Sequence, residues 1–329
     1  MTRPTTVLAW IEPNSLWQEQ VDILRGRFPE IEVVLTKDRS TPALPRAHVI
    51  IGKSVPREII EEATNLEVLA VALAGINHLP LELLRERNVR IVNAHANGRY
   101  VAERVLALTL GFTGRLVPYH RDLEEGRWHG FAVGESVRDS WNSIRGKRVA
   151  LLGTGSIGRS SARLFKMFDC TVVGFKRSAA PPAGDFDETT TDLEKAVTGA
   201  DIVVCSLPLT EETRGILDEQ AFTAMAGALF VNVGRGPVAD EQALYDALFR
   251  KTIAGAAIDT WYQYPGDNEK TCYPSRFPIH TLDNVLLSPH LGGYTPEATR
   301  ASLEEVVDKV ARYLESGTIT EEADPRLLY

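Results

Sequence analysis

Short β-branched and apolar runs alternate with longer amphipathic segments from one end of the chain to the other. Runs at 6–10, 31–35, 49–51, 68–72 and 90–92 predict the strands of one parallel sheet. Runs at 148–152, 171–175, 202–207, 229–233, 254–258 and 285–287 predict a second. Nearly continuous hydrophobic strands separated by helical patterns define an α/β chain with two doubly wound parallel-sheet domains. The length, 329 residues, also suits two domains. Between the two sets of strands, Val101, Val105, Leu108, Phe112 and Leu116 recur at helical spacing within residues 100–126. That stretch is too long for an ordinary crossover and reads as a helix that links the domains and packs along one of them. A second amphipathic segment, 296–314, follows the last strand. The pattern leaves open whether it returns to the first domain and makes that domain discontinuous.

Composition narrows the function classes. With 44% hydrophobic and 24% charged residues and no low-complexity tract, the chain reads as an ordinary globular enzyme. A formal charge of −8 and a pI near 5.5 argue against nucleic acid or an anionic membrane as the main partner. They leave room for a small anionic substrate, which needs only a local positive site. Cys170 and Cys205 lie in or beside apolar runs and read as small core residues. Cys272 lies in a polar loop, and no His or Asp spacing there suggests a metal. No apolar run approaches the roughly 18 residues that span a bilayer, and the first residues run straight into a strand. A cytoplasmic protein without a signal peptide is therefore expected.

Candidate chemistry sits where strands end. Gly153-Thr154-Gly155-Ser156-Ile157-Gly158 follows directly on the strand at 148–152. Gly153 allows the tight turn, Gly155 lets backbone approach a pyrophosphate, and Gly158 lets the next helix pack close to the strand. Such a hexad alone is weak evidence, but its βαβ setting is that of a dinucleotide site. The next strand ends Lys176-Arg177-Ser178, with Lys176 eighteen positions after Gly158. NAD-selective folds place an acid there for the ribose hydroxyls. Lys176 and Arg177 cannot accept from a 2′-hydroxyl but can neutralise a 2′-phosphate, to which Ser178 can donate. NADP is therefore favoured over NAD, against the plainer reading of a solvated basic loop. Arg235 follows a strand in a Gly-Arg-Gly turn, where a guanidinium can hold a carboxylate and polarise a carbonyl. The competing reading is a surface turn arginine. His290 follows the last strand and precedes Gly292 and Gly293; an imidazole there is the natural donor of the proton that accompanies hydride addition to a carbonyl. His78, His95, His120, His129 and His280 lack that setting.

With those residues in view, the chain resembles the D-isomer-specific 2-hydroxyacid dehydrogenases. The resemblance runs from about Val68 onward, through Leu73-Ala74-Gly75-Ile76-Asn77, Asn97 to Glu103, Gly146 to Gly153, Leu207 to Gly215, Asn232 to Gly236, Gly255 to Asp259, and Pro289-His290. It implies a flavodoxin-like substrate domain, residues 1–95 plus 296–329, around an inserted Rossmann cofactor domain, 96–295. It also implies a homodimer formed through the cofactor domains and an active site in the cleft between the two domains. Substrate carboxylate would rest on backbone N–H groups of Ala74, Gly75 and Ile76, with Asn97 on the substrate side. The motifs carry cofactor contacts onto Ser156, Ile157, Leu207, Pro208, Thr213, Val233, Gly234, Arg235, His290 and Gly293, with Asp259 at the nicotinamide.

One departure stands out. Five positions after Asp259, before a proline, the family has a glutamate that pairs with the histidine; this chain has Tyr264. Tyrosine can orient His290 by a neutral hydrogen bond, or a carboxylate of the longer 266–280 loop, such as Glu269, can reach in. Arg276 lies in the same loop.

Two classes of function follow. One is an NADP(H) enzyme acting on a small 2-oxo or D-2-hydroxy acid such as glyoxylate or hydroxypyruvate, with oxidation of a simple anion such as formate or phosphite as a variant. The other is a non-catalytic dinucleotide-sensing binding module. Retention of both Arg235 and His290 favours the enzyme.

Overall fold

The computed structural model describes residues 5–134, 140–178, 181–182, 184–266, 269–319 and 321–324. Residues 1–4 of the N-terminal stretch and 267–268 of the long loop, both read above, lie outside them. The chain divides into two compact units, Met1–Asn97 with Thr295–Tyr329, and Gly98–Tyr294.

The first unit opens with Thr6–Trp10 (β1), Ser15–Arg27 (α1), Glu32–Thr36 (β2), Ala47–Gly52 (β3), Arg57–Glu62 (α2), Val68–Val71 (β4), Leu81–Glu86 (α3) and Arg90–Asn93 (β5). Its five strands are all parallel in the order β2-β1-β3-β4-β5, the flavodoxin-like winding. Every residue of β1 and β4 is buried, as expected of strands covered on both faces.

The second unit contains Gly98–Thr113 (α4), Leu116–Glu124 (α5), Arg148–Leu152 (β6), Ser156–Lys166 (α6), Thr171–Phe175 (β7), Glu188–Thr190 (β8), Leu193–Val197 (α7), Ile202–Cys205 (β9), Glu219–Ala224 (α8), Leu229–Asn232 (β10), Glu241–Phe249 (α9), Gly255–Ile258 (β11) and Val285–Leu287 (β12). Its seven parallel strands run β12-β11-β10-β9-β6-β7-β8, with the order reversing beside β6. That is the doubly wound Rossmann arrangement.

The chain then ends its regular structure with Pro296–Ser316 (α10), which belongs to the first unit. Thr295 caps its N-terminus by accepting from the Ala298 N–H at 3.0 Å, Pro296 occupies the first turn, and Gly317 closes it in the left-handed region. Leu303, Val306, Val307 and Val310 form its buried stripe and join the core built on Val7, Ala9, Val49 and Val68.

Two readings of the pattern are corrected. The linking segment is not one helix. After α4, Gly114 and then Arg115, at φ +51, break the 3.6-residue repeat before α5 begins. Leu116 keeps helical spacing with Phe112, so periodicity carried across a turn that the glycine ends. Pro118 falls in the first turn of α5, where its missing N–H costs nothing. The second correction is β8, a three-residue edge strand of Glu188, Thr189 and Thr190, too short and polar to register as a strand.

Cys170 and Cys205 are buried and Cys272 is exposed. Full burial pushes the Cys205 thiol up to about 12, so it behaves as a core residue and not as a nucleophile. Among the described residues no helix is long and apolar enough to cross a membrane, and no group of three or more His, Cys, Asp or Glu could hold a metal.

Candidate active site

In a parallel sheet all carboxyl ends share one edge, and the second unit places its candidate residues along that edge. At β6, Gly153 takes φ +105, a conformation open to glycine, and its N–H donates to the Phe175 carbonyl at 3.0 Å. A Cβ on Gly158 would lie 2.0 Å from the Gly153 carbonyl oxygen, so only glycine lets α6 start this close to the turn. No side chain caps α6 at Gly155. The first-turn amides of Ser156 and Ile157 therefore point out of the helix end with its positive dipole, the arrangement that binds phosphate.

β7 pairs with β6 in register, Phe175 beside Leu152, which sets Lys176-Arg177-Ser178 next to the glycine loop. Lys176 Nζ donates to the Pro181 carbonyl at 3.3 Å, while Arg177 and Ser178 are exposed. Beyond β9, Leu207 is buried, and the Thr213 hydroxyl donates to the Pro208 carbonyl at 2.6 Å and accepts from the Thr210 N–H at 2.8 Å. These bonds close the loop that carries Pro208.

At the end of β10, Val233 N–H donates to the Cys205 carbonyl at 3.0 Å. Asn232, buried at the strand end, accepts from Gly234 N–H at 3.1 Å and donates to the Arg235 carbonyl at 3.3 Å. One side chain thus pins both sides of the Arg235 turn. The guanidinium commits one N–H to the Gly234 carbonyl at 2.8 Å. Burial lowers the Arg235 pKa, and the neighbouring Tyr264 opposes the change. A guanidinium starts so far above neutrality that it keeps its charge.

The ends of β11 and β12 bring together residues 26 apart in sequence: the Tyr264 hydroxyl lies 2.9 Å from His290 Nδ1. The Trp261 N–H donates to the same phenol oxygen at 3.0 Å. The Tyr264 hydroxyl thus joins the Trp261 amide to the imidazole and fixes the ring at Nδ1. Burial lowers the His290 pKa, the Arg235 charge lowers it further, and Asp259 opposes them. Burial raises the Tyr264 pKa, so the pair is neutral near pH 7. Glu269 is folded onto its own turn, where it accepts from the Gly266 N–H at 3.2 Å. Arg276 is engaged by Glu241 at 2.6 Å.

Asp259, 2% exposed, accepts from the Ser288 hydroxyl, from Leu291 N–H at 3.0 Å and from Gly292 N–H at 2.8 Å. It thereby holds the turn on both sides of His290; Gly293 follows directly. Trp261 adds an indole N–H to the Ser288 carbonyl at 2.8 Å. Asn232, Trp261 and Ser288 carry no reactive group. The signal that could have found them is that each lies within three residues of Arg235, Tyr264 or His290.

The remaining candidates belong to the first unit. Ala74, Gly75 and Ile76 follow β4, and the buried Asn93 at the end of β5 donates to the Ala74 carbonyl at 2.6 Å, which ties the loop down. Ile76 is itself buried. Asn97 ends the segment in which His95 and Ala96 N–H groups donate to Glu305 at 2.7 and 2.6 Å.

A glycine-rich turn, Arg235 and His290 along the carboxyl edge of a seven-stranded parallel sheet define a dinucleotide-dependent oxidoreductase. Residues 106–292 match the family model described as D-isomer specific 2-hydroxyacid dehydrogenase, NAD binding domain. The chain is 29% identical over 309 residues to the hydroxypyruvate reductase of Thermotoga maritima, covering 92% of this chain and 96% of that one. It is 30% identical over 282 residues to a glyoxylate/hydroxypyruvate reductase A of Arabidopsis thaliana, covering 85% and 84%. In fold it is similar to an NADPH-dependent glyoxylate/hydroxypyruvate reductase from Sinorhizobium meliloti in complex with NADP and malonate. That likeness has a TM-score of 0.75 at 23% identity and covers 99% of this chain and 98% of the other. The chain belongs to the D-isomer-specific 2-hydroxyacid dehydrogenase family and is an NAD(P)-dependent enzyme. The alternative of a non-catalytic sensing module is thereby set aside.

Proposed function

We propose that this enzyme reduces a small 2-oxo acid of the glyoxylate or hydroxypyruvate type to the D-2-hydroxy acid, using NADPH in preference to NADH. The observation that carries the reading is the Tyr264–His290 hydrogen bond at strand ends next to a charged, partly buried Arg235.

When bound, the nicotinamide supplies hydride to the substrate's carbonyl carbon. Arg235 holds the substrate's carboxylate and carbonyl oxygen and stabilises the negative charge that grows on that oxygen. In its imidazolium form His290 donates from Nε2 the proton the oxygen takes up and is left neutral, while the Tyr264 oxygen fixes the ring through Nδ1. Ala74, Gly75 and Ile76 amides and Asn97 receive the carboxylate end. Gly153, Gly155, Ser156, Ile157 and Gly158 receive the pyrophosphate, with Leu207, Pro208, Thr213, Val233, Gly234 and Gly293 lining the cofactor's path. Three donors occupy a carboxylate with about four acceptor positions. Asp259 therefore retains one for the nicotinamide amide.

Lys176 and Arg177 support the NADPH preference, because two cations and no acid follow β7. The hydroxypyruvate and glyoxylate reductases among its relatives support the substrate class. A formate- or phosphite-type oxidation, which needs no proton from the histidine, is the second reading, and the missing carboxylate at Tyr264 favours it. One experiment separates them: NADPH and NADH oxidation against a panel of 2-oxo acids, with NADP reduction by formate and phosphite. Turnover of glyoxylate or hydroxypyruvate, faster with NADPH, is expected. Turnover with formate or phosphite alone would replace this reading by the second.

We also propose a homodimer formed through the second unit. The support is an apolar run left open to solvent, with Trp128 62%, Phe131 99% and Trp141 56% exposed.

A further inference from the structure

His290 stands at φ +58, in the left-handed region that an L side chain holds only where its surroundings over-determine it. The surroundings can be traced. Behind the turn, the Ser288 hydroxyl donates to Asp259 Oδ1 and accepts from Arg104 Nη2 at 2.7 Å. Asp259 in turn accepts the amides of Leu291 and Gly292. Arg104 stands on α4, and its guanidinium is drawn in far enough that Nε is buried without a hydrogen-bond partner. Burying a guanidinium in this way is unfavourable unless an opposite charge answers it. Here the answering charge is Asp259, reached through the Ser288 hydroxyl.

We propose that Arg104 and Ser288 are positioning residues for His290, acting through Asp259. This rests on His290 being the proton donor, and deepens that reading. Asp259 is almost fully buried, and its oxygens are held by the Ser288 hydroxyl and by two amides. It accepts both amides that follow His290 and holds the turn in its strained conformation. Trp261 holds the other side through the Ser288 carbonyl, and Tyr264 holds the ring. Without Arg104 the Ser288 hydroxyl loses the donor that orients it toward Asp259, and the carboxylate is held less firmly against the two amides. The turn then relaxes, and a proton donor displaced by a fraction of an ångström transfers less efficiently. Among the described residues of the second unit, the charged and titratable groups that face His290 are Arg235, Asp259 and Tyr264, so a turn that shifts against Asp259 also moves the titration of His290.

The test uses the full chain with Arg104→Met, Arg104→Lys, Ser288→Ala and Ser288→Thr. The first readout needs no substrate: NMR titration of histidine ring resonances, with His290→Gln supplying the assignment among seven histidines. In Arg104→Met and Ser288→Ala the His290 resonance and its midpoint are expected to move while the other six stay. The second readout is turnover on the 2-oxo acid found active. There kcat is expected to fall on the order of 10- to 100-fold with KM for NADPH within about twofold, and Arg104→Lys and Ser288→Thr to recover most of it. An unmoved His290 resonance in folded Ser288→Ala and Arg104→Met overturns the proposal. Should Arg104→Met fail to fold, Ser288→Ala, which removes only a hydroxyl, decides alone. If the wild-type enzyme reduces no 2-oxo acid, the proposed reaction fails, and the NMR readout still decides the positioning role.

Discussion

Arg235 and His290 are both depressed in pKa by burial, with opposite consequences. Arginine starts far above neutrality and keeps its charge; histidine starts near 6.5 and is neutral at pH 7. Arg235→Ala is therefore expected to lower kcat/KM by on the order of 10²-fold or more, with cofactor affinity nearly intact, because it removes charge stabilisation at the reacting oxygen. Steady-state kinetics and NADPH titration check it, and wild-type-like turnover would sink the role. Reduction needs the proton, so kcat/KM is full below the histidine's pKa and falls as pH rises through it, in a window below the ordinary 6.5. Tyr264→Glu puts an anion where the phenol was, favours the imidazolium and moves that fall to higher pH. A pH–rate series on both proteins decides the matter; superimposable profiles would show that residue 264 does not govern the proton.

At the level of elements, α10 shows how a helix remote in sequence completes a core. Its stripe of Leu303, Val306, Val307 and Val310 lies fully or almost fully buried against strands that precede it by more than 200 residues. Leu303→Ala is expected to destabilise the first unit by about 2–5 kcal/mol, the range for truncating a buried leucine. Hydrogen exchange in β1, β3 and β4 reads that loss directly; a change confined to α10 would mean that the helix is an appendage. The break between α4 and α5 carries a different lesson. Apolar spacing runs through Gly114 and Arg115 without a fault, so the interruption was legible only from the glycine and from Pro118. Hydrophobic periodicity reports which side of the chain is covered, and a tight turn can preserve that side while ending the helix.

On the scale of the whole molecule, the second unit displays Leu116, Leu123, Trp128, Phe131, Val133 and Trp141 to solvent within 26 residues of chain. A second copy of the same surface is the proposed cover, and symmetric self-association makes each such residue count twice. Phe131→Glu is expected to convert the dimer to a monomer in light scattering after size exclusion. A wild-type protein that already runs as a monomer would remove the proposal.

Some of this protein was legible in its residues alone. Alternating apolar runs predicted both parallel sheets because strands buried on two faces have no choice of composition, and Gly153 and Gly158 marked their turn because a positive φ and a close approach exclude a side chain. Arg235, Tyr264 and His290 were visible as residue types at strand ends, as was the absence of a glutamate. What faces His290 was not visible, because a tyrosine at 264 and an acid at 269 are equally reachable along a flexible chain. The fold decided it by hydrogen bonding Tyr264 to the ring and turning Glu269 back on Gly266. Strand order, the sheet that α10 covers, and the Arg104–Ser288–Asp259 connection likewise exist only in three dimensions. Each joins residues distant in sequence, and local pattern encodes which face of an element is buried but not what buries it.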